Sequence, residues 1–415
     1  MKKILIIVLS EISTGELTIG YEFGSRLAKN NYDVKFLISP QFVSFLDNRK
    51  EKYFVLKSEE DAATNFLRFK QYVEEFKPDY FFLSDVYTTE YSKTWSGVCM
   101  KVLKMYGIPI IGVDEYEYLS TNFTPDYYGG IFEKLPPLLK KCDFVVRDCP
   151  LNVPRGKNDA VFNFSLYDKD LHISECRKRF IRSKFGISQS EKLIFYASSS
   201  WEIINFHLSS SLQMLMKWIP LMLQYYLLEL NRNVTIIHIG PKPWEIVQGN
   251  KIRYLHHSYL VPEQFDELLL ASDLFITINS VSVTMSKAVF GNVPCLLFQN
   301  SKHIDFKRLE KRLTHMPQWY QIMAREVGEV FPFKAGFFGW YALLQSVMRN
   351  NNYTQTYQEV PVFKMIEAVQ SFNDYLFDID KIRDIKKRQS EYINELQKRV
   401  DTPEQIMEKI SFIKG

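Results

Sequence analysis

Two kinds of side chain gather where this chain could use them for chemistry. The first is a run of hydroxyls with one ammonium: Asn279, Ser280, Ser282, Thr284 and Lys287 follow the apolar stretch that ends at Ile278. They stand where a strand turns into a helix, and the N–H groups exposed at a helix start suit a phosphate. Ser198, Ser199 and Ser200 make a second hydroxyl-rich turn of the same kind. The second kind is carboxylate: Glu11 and Glu16, Asp85, then Asp114, Glu115 and Glu117, each set just beyond an expected strand. Carboxylates on one rim can line a site and exchange protons with a ligand. A well-capped turn or a solvated loop explains the same residue types, and the local patterns leave both readings open.

The elements that would hold these groups alternate between strand and helix. In the first part, strands are expected at 3–9, 33–38, 53–56, 79–83, 110–113 and 142–147. Helices are expected at 17–29, 62–76 and 91–105. A connector with Pro150, Pro154 and Gly156 and a basic run, Arg177 to Lys184, leads to a second alternation. It has strands at 193–197, 234–239, 252–255, 273–278 and 293–298, with helices at 206–230 and 262–270. In the stretch 271–298, Gly291, Asn292 and Pro294 end the short helix and admit the next strand. Beyond 298 the pattern is helical, and 378–400 is polar almost all round. Ligands of such sheets bind outside the carboxyl ends of the strands, which is where both sets of polar residues fall.

Length and composition bound the reading. A chain of 415 residues exceeds one ordinary core. We expect an N-terminal Rossmann-like domain at 1–165, a second at 166–361 with a connector at 166–190, and a helical segment at 362–415. With 46% hydrophobic and 24% charged residues the chain is of globular type. A net charge of +4 with dispersed basic residues does not suggest nucleic acid. The five cysteines (Cys99, Cys142, Cys149, Cys176, Cys295) lack metal or disulfide spacing and fit reduced thiols in the cytoplasm. The opening MKKILIIVLSEIS has an apolar run of only Ile4–Leu9, so a buried strand is expected, not a leader. The apolar stretch 206–230 contains Lys217 and Pro220 and reads as a buried helix in place of a membrane span. The basic runs at 177–184, 307–312 and 381–388 read as solvated faces, with contact to a membrane surface the less favoured alternative.

These residues also carry a resemblance. The second half is similar to the GT-B glycosyltransferases, in particular the branch of UDP-glycosyltransferases and the transferase that makes lipid-linked peptidoglycan precursor. That branch has His-Gly-Gly-x-x-Ser/Thr-x-x-Glu-Ala followed by Gly-Val-Pro. Here Asn279 to Ala288 and Asn292-Val293-Pro294 stand in its place, with Thr284, Ala288, Val293 and Pro294 matching. Val261-Pro262 falls where the family often has Val-Pro, and Gly15-Glu16-Leu17-Thr18 where it often has Gly-His-x-x. The departures are specific. Ser280-Val281 replaces the Gly-Gly that admits the donor phosphates, Lys287 replaces the ribose-binding Glu, and Glu16 replaces the His that serves as base.

The resemblance implies two Rossmann-like domains facing across a cleft, with C-terminal helices crossing back to the first domain. It implies transfer of a sugar from a nucleotide-activated donor to a small-molecule, peptide or lipid-linked acceptor, without an active-site metal or a tightly bound cofactor. Glu16 would be the base, with Glu11 or Asp114 as further carboxylates. The donor would meet Ser198 to Ser200, Asn279 to Thr284 and Lys287, with His238, Gly240, His256 or His257 nearby. The acceptor would lie near Asp85, Glu115 and Glu117. Two other outcomes fit the departures: a GT-B-like scaffold that binds a nucleotide or a protein without catalysis, and a sugar-nucleotide epimerase of the same fold.

Overall fold

The computed structural model describes residues 1–11, 13–121, 137–156, 160–168, 171–199, 210–247, 249, 251–299, 313–330, 348 and 350–414. The chain divides into two compact units, one made of Met1–Lys169 with Ile393–Gly415, the other of Asp170–Tyr392. Residues 362–392 therefore group with the second unit, and the remainder of the C-terminal segment with the first.

Among the described residues the first unit holds seven strands: β1 (Lys3–Val8), β2 (Asp33–Ile38), β3 (Tyr53–Val55), β4 (Tyr80–Leu83), β5 (Ile110–Asp114), β6 (Phe144–Cys149) and β7 (Val161–Ser165). They lie in the order β3-β2-β1-β4-β5-β6-β7, every pair parallel. The order reverses between β1 and β4. A parallel sheet is covered on both faces, and β1 is apolar on both. Leu5, Ile7 and Leu9 join the core with Phe69 and Val73 of helix Ala62–Phe76. Ile6 and Val8 meet helix Gly15–Ala28. A Cβ on Gly20 would stand 2.3 Å from Ser84 Oγ and 3.0 Å from Ile6 Cγ2, and one on Gly24 2.4 Å from Ile6 Cδ1. Glu16, Gly20 and Gly24 share one helix face by their four-residue spacing. The close approach of the two glycines thus seats Glu16 over the reversal point.

The end of the chain completes this unit. Asp401 makes a parallel bridge to Phe164 on β7, its N–H donating to Asn163 O at 2.8 Å. Gln397 Nε2 donates to Ser165 Oγ at 3.1 Å. Helix Pro403–Lys414 packs on helix Gly15–Ala28, burying Ile406, Met407 and Ile410.

The second unit holds β8 (Lys192–Ala197), β9 (Val234–Ile239), β10 (Ile252–His257), β11 (Leu274–Thr277), β12 (Cys295–Phe298) and β13 (Gln358–Val360), in the order β10-β9-β8-β11-β12-β13, all parallel. Its order reverses between β8 and β11. Helix Ser210–Glu229 lies in the core through Leu215, Trp218, Ile219, Met222, Leu223, Tyr226 and Leu227, against helices Gln318–Val330 and Met365–Phe377. Among the described residues no helix is long and apolar enough to cross a membrane.

Several expected elements need correction. The single helix expected at 91–105 is three short ones, Val86–Tyr91, Lys93–Ser96 and Met100–Lys104. Gly97, at φ +67°, ends the second, and its missing Cβ leaves room for Ala62 O. The connector contains β7, hidden behind the Pro and Gly residues that precede it. The helical region after 298 contains β13, only three residues long. Helix Ile379–Gln397 is not polar all round: Ile385, Gln389, Ile393 and Leu396 form a buried seam. Gln389 Nε2 donates to Val293 O and Thr356 O from within that seam, at 2.9 and 3.0 Å. The basic run at 177–184 is largely an exposed helix, though Arg182 is buried against Asp273 at 3.1 Å. The run at 307–312 lies outside the described residues.

Candidate functional site

At the carboxyl edge of the first sheet, four adjacent strands, β1, β4, β5 and β6, each deliver an acid that leaves solvent. Glu16 follows β1 in the first turn of its helix and is 8% exposed. Asp85 follows β4 and caps helix Val86–Tyr91, its Oδ1 accepting from the N–H of Tyr87 at 2.7 Å and of Thr88 at 3.1 Å. Asp114 ends β5 and accepts from Tyr118 N–H at 2.8 Å and Leu119 N–H at 3.2 Å. Glu115 comes next and is buried. Asp148, the penultimate residue of β6, is fully buried.

The electrostatics follow from this crowding, because burial disfavours a charged carboxylate and neighbouring like charges add to the effect. Burial, and then Asp85, push the Glu16 carboxyl up to about 7, against the pull of its own backbone N–H and the hydroxyls of Ser13 and Ser10. Asp114 is pushed up to about 6 by burial, and its two backbone N–H bonds and Arg147 hold it from rising further. Glu115 is raised well above the ordinary range by burial, Asp85, Glu16, Asp148 and Asp114. Asp148 is raised likewise by burial and Asp114. The phenol of Tyr116 is raised by burial and then by the charges of Glu115, Glu16, Asp85 and Asp148. Glu16 Oε2, Glu115 Oε1 and both oxygens of Asp148 are buried and have no hydrogen-bond partner among the described residues.

The remaining two expected acids stand apart. Glu11 is exposed. Glu117, at φ +58°, serves the loop: its Oε1 accepts from Val153 N–H at 3.2 Å, and its Oε2 is paired with Arg155. Asp148 is the acid the sequence reading passed over. Its signal was the one that found Asp114, a carboxylate at a strand's carboxyl end, but that reading ended the strand one residue before it.

In the second unit, Ser198, His238 and Tyr254 form a hydrogen-bonded chain. Ser198 Oγ shares a hydrogen bond with His238 Nε2 at 2.7 Å, and His238 Nδ1 shares one with Tyr254 Oη at 2.7 Å. Tyr254 Oη also accepts from Trp244 N–H at 2.9 Å. Burial, aided by His256, lowers His238 to about 3, so the ring is neutral and orients the Ser198 hydroxyl without carrying charge. Gly240 permits this packing, since a Cβ there would lie 2.0 Å from Ser198 Oγ. His256 Nε2–H donates to Gly240 O at 2.8 Å. His257 lies edge-on to Phe185, 5.7 Å between centroids. Ser199 follows Ser198 in the same turn, and Ser200 lies outside the described residues.

The turn after β11 is built from its own side chains. Thr277 Oγ1 accepts from Asn279 N–H at 3.0 Å, Asn279 Oδ1 from Val281 N–H at 3.0 Å, and Ser282 Oγ from Met285 N–H at 3.3 Å as the cap of helix Val283–Phe290. Ser280 is buried, and Thr284 is partly exposed at the helix start. Because β8 and β11 are neighbours, the turn at Ser198 and the turn at Asn279–Thr284 flank the reversal point of this sheet, about 5 Å apart in strand spacing. Lys287 does not join them as an exposed cation: it is buried in an ion pair with Asp266, 2.7 Å from Nζ to Oδ1.

Comparison with known proteins agrees with this architecture. The model described as "Family of unknown function (DUF6365)" matches residues 23–414, and the chain belongs to that family. No curated protein matches the sequence. Among solved structures, the chain is similar to a glycosyltransferase from Rickettsia africae ESF-5 (TM-score 0.53, 12% identity, covering 100% of this chain and 98% of that one). It is similar to S. aureus MnaA solved with UDP (TM-score 0.56, 13% identity, 100% and 97% covered). It is also similar to Anabaena HepE in complex with UDP (TM-score 0.52, 11% identity, 99% and 100% covered). The likeness is one of fold, and the fold is the GT-B one, with two Rossmann-like units as the resemblance implied.

Proposed function

We propose that this member of DUF6365 is a glycosyltransferase that moves a sugar from a nucleotide-activated donor to an acceptor held by its first unit. The observation that carries the reading is Glu16: a buried carboxyl at the reversal point of the first sheet, with one unpartnered oxygen and a pKa of about 7. A general base works best when its pKa lies near the operating pH. In the reaction, Glu16 takes the proton from an acceptor hydroxyl as that oxygen bonds to the anomeric carbon. The bond from that carbon to the diphosphate oxygen breaks, and the nucleoside diphosphate leaves with the electron pair. Asp85, fixed by two backbone N–H bonds, raises the proton affinity of Glu16.

The donor is assigned to the second unit, a reading supported by the UDP seen in structures of the same fold and by the rule that α/β sheets bind ligands at the reversal point. Its diphosphate would meet the Ser198 turn and the start of helix Val283–Phe290, where N–H groups and the Thr284 hydroxyl meet negative charge. Lys287, engaged by Asp266, supports this helix and is not assigned to the phosphates. The reading asks no metal of the chain.

The test is turnover of nucleotide sugars, followed by release of nucleoside diphosphate, with acceptor pools supplied. Glu16→Gln should lower turnover by roughly 10²–10⁴-fold, the usual worth of a general base, while nucleotide affinity stays unchanged. Full turnover by Glu16→Gln removes Glu16 from the mechanism. Nucleotide binding with no turnover by the unaltered protein favours the scaffold, a reading that Ser280-Val281 in place of Gly-Gly already supports.

A further inference from the structure

The acids of the first unit outnumber what a base requires. Removing one proton needs Glu16 and a partner such as Asp85, yet Glu115 and Asp148 are buried beside them. Among the described residues, Glu115 Oε1 and both Asp148 oxygens have no hydrogen-bond partner. Protonation would remove their charge without supplying a donor to the remaining oxygens, and an unsatisfied buried polar atom is unfavourable. Of the groups that perturb Asp148, none is positive, and the largest influences on Glu115 are burial and other carboxylates. Arg147, which faces Asp114 across the β5–β6 register, acts on Asp114. Arg155 is engaged by Glu117. Among the described residues the inner acids thus have no basic side chain as counter-charge.

The form of that counter-charge is constrained. Among the described residues, no three of these acids or other ligating groups come together as one metal site requires. The acids are instead spread over four neighbouring strands, a span of about 14 Å at ordinary strand spacing. That suits an extended organic cation better than a single ion. An alkylammonium brings three donors to acceptor-only oxygens.

We propose that the acceptor of this enzyme is an amine-bearing molecule, its ammonium anchored by Glu115 and Asp148 while a hydroxyl elsewhere on it is presented to Glu16. This rests on the acceptor reading above, and it names the class of acceptor: a hydroxylated amine, not a neutral alcohol or an acidic one.

The experiment is calorimetric titration of the full chain, without nucleotide, using spermidine, putrescine and an amino alcohol. Butanediol serves as the neutral control, and Mg²⁺ as the inorganic one, all at matched ionic strength. The amines should bind and butanediol should not. Asp148→Asn and Glu115→Gln should each weaken amine binding at least ~tenfold, the effect of losing about 1.4 kcal/mol of interaction, whereas the exposed Glu59→Gln on the same unit should not. Absence of amine binding overturns the proposal. So does binding that the two inner variants leave unchanged, which marks attraction to the acidic surface, or tighter binding of Mg²⁺ that the same variants abolish. Because no nucleotide is present, failure here leaves the nucleotide reading standing, and failure of that reading leaves amine binding measurable.

Discussion

Glu16 ties burial directly to chemistry. A base is active when deprotonated, so with its carboxyl at about 7 the turnover rate should rise with pH up to neutrality and level off above it. A pH–rate profile of kcat/KM checks this; a profile flat from pH 5 to 8 would mean another group takes the proton. The same burial has a cost in stability. Asp148 holds its proton more tightly folded than unfolded. The folded state then binds more protons than the unfolded one, and stability must fall as pH rises from the unfolded value, about 3.9, toward the folded one. Asp148→Asn should therefore raise the Tm at pH 8, by about 2–4 °C for each kcal/mol of relief, and have little effect at pH 4. Equal gains at both pH values, or a loss at pH 8, would contradict the assignment. Much of this acidic set was legible in the sequence, because acids just past apolar strands fall on one rim of a parallel sheet. Its internal division was not. Glu11, Glu16 and Glu117 look alike as letters; exposure sets Glu11 apart, and the Arg155 partner sets the equally buried Glu117 apart, from the one near neutrality.

The strands and turns decide how closely these groups meet. Gly240 lies where a Cβ would stand 2.0 Å from Ser198 Oγ and 3.0 Å from Ser198 O. Gly240→Ala should displace the Ser198 turn and weaken nucleotide binding by ~tenfold or more, with the first unit's unfolding unaffected; unchanged affinity would place the nucleotide elsewhere. The regular elements were readable wherever pattern and punctuation agreed. Ala62–Phe76, Val234–Ile239 and Pro262–Leu270 match expectation residue for residue. Elements that owe their existence to neighbours were not readable. The three-residue β13 pairs with β12, and β7 borrows support from β6 and from Asp401, far along the chain. The role of Lys287 was hidden for the same reason, since its partner Asp266 lies on another helix.

The first unit takes its last piece from the far end of the chain. Ile393, Leu396, Ile406, Met407 and Ile410 are all buried, and full burial of such a side chain stabilises by about 1.5–3 kcal/mol. Their sum rivals the 5–15 kcal/mol that holds an ordinary domain together. A chain ending at Tyr392 should lose the folded first unit, read as loss of its cooperative thermal transition; a native-like transition would show that the segment is dispensable. Two Rossmann-like halves were visible in the double alternation of strand and helix, while the GT-B arrangement and the sharing of the C-terminal segment were implied by the resemblance. The proposed activity rests on the second unit accepting a nucleotide. The most direct measurement is a thermal-stability titration of the full chain with nucleoside diphosphates and their sugars (UDP, GDP, dTDP), beside CMP sugars, repeated with Ser198→Ala and Thr284→Ala. One nucleotide class should stabilise the protein, by about 2.7 kcal/mol at a hundredfold excess over Kd, with the gain lost in both variants while they stay folded. No stabilisation by any of them at concentrations that reveal millimolar binding would contradict the account.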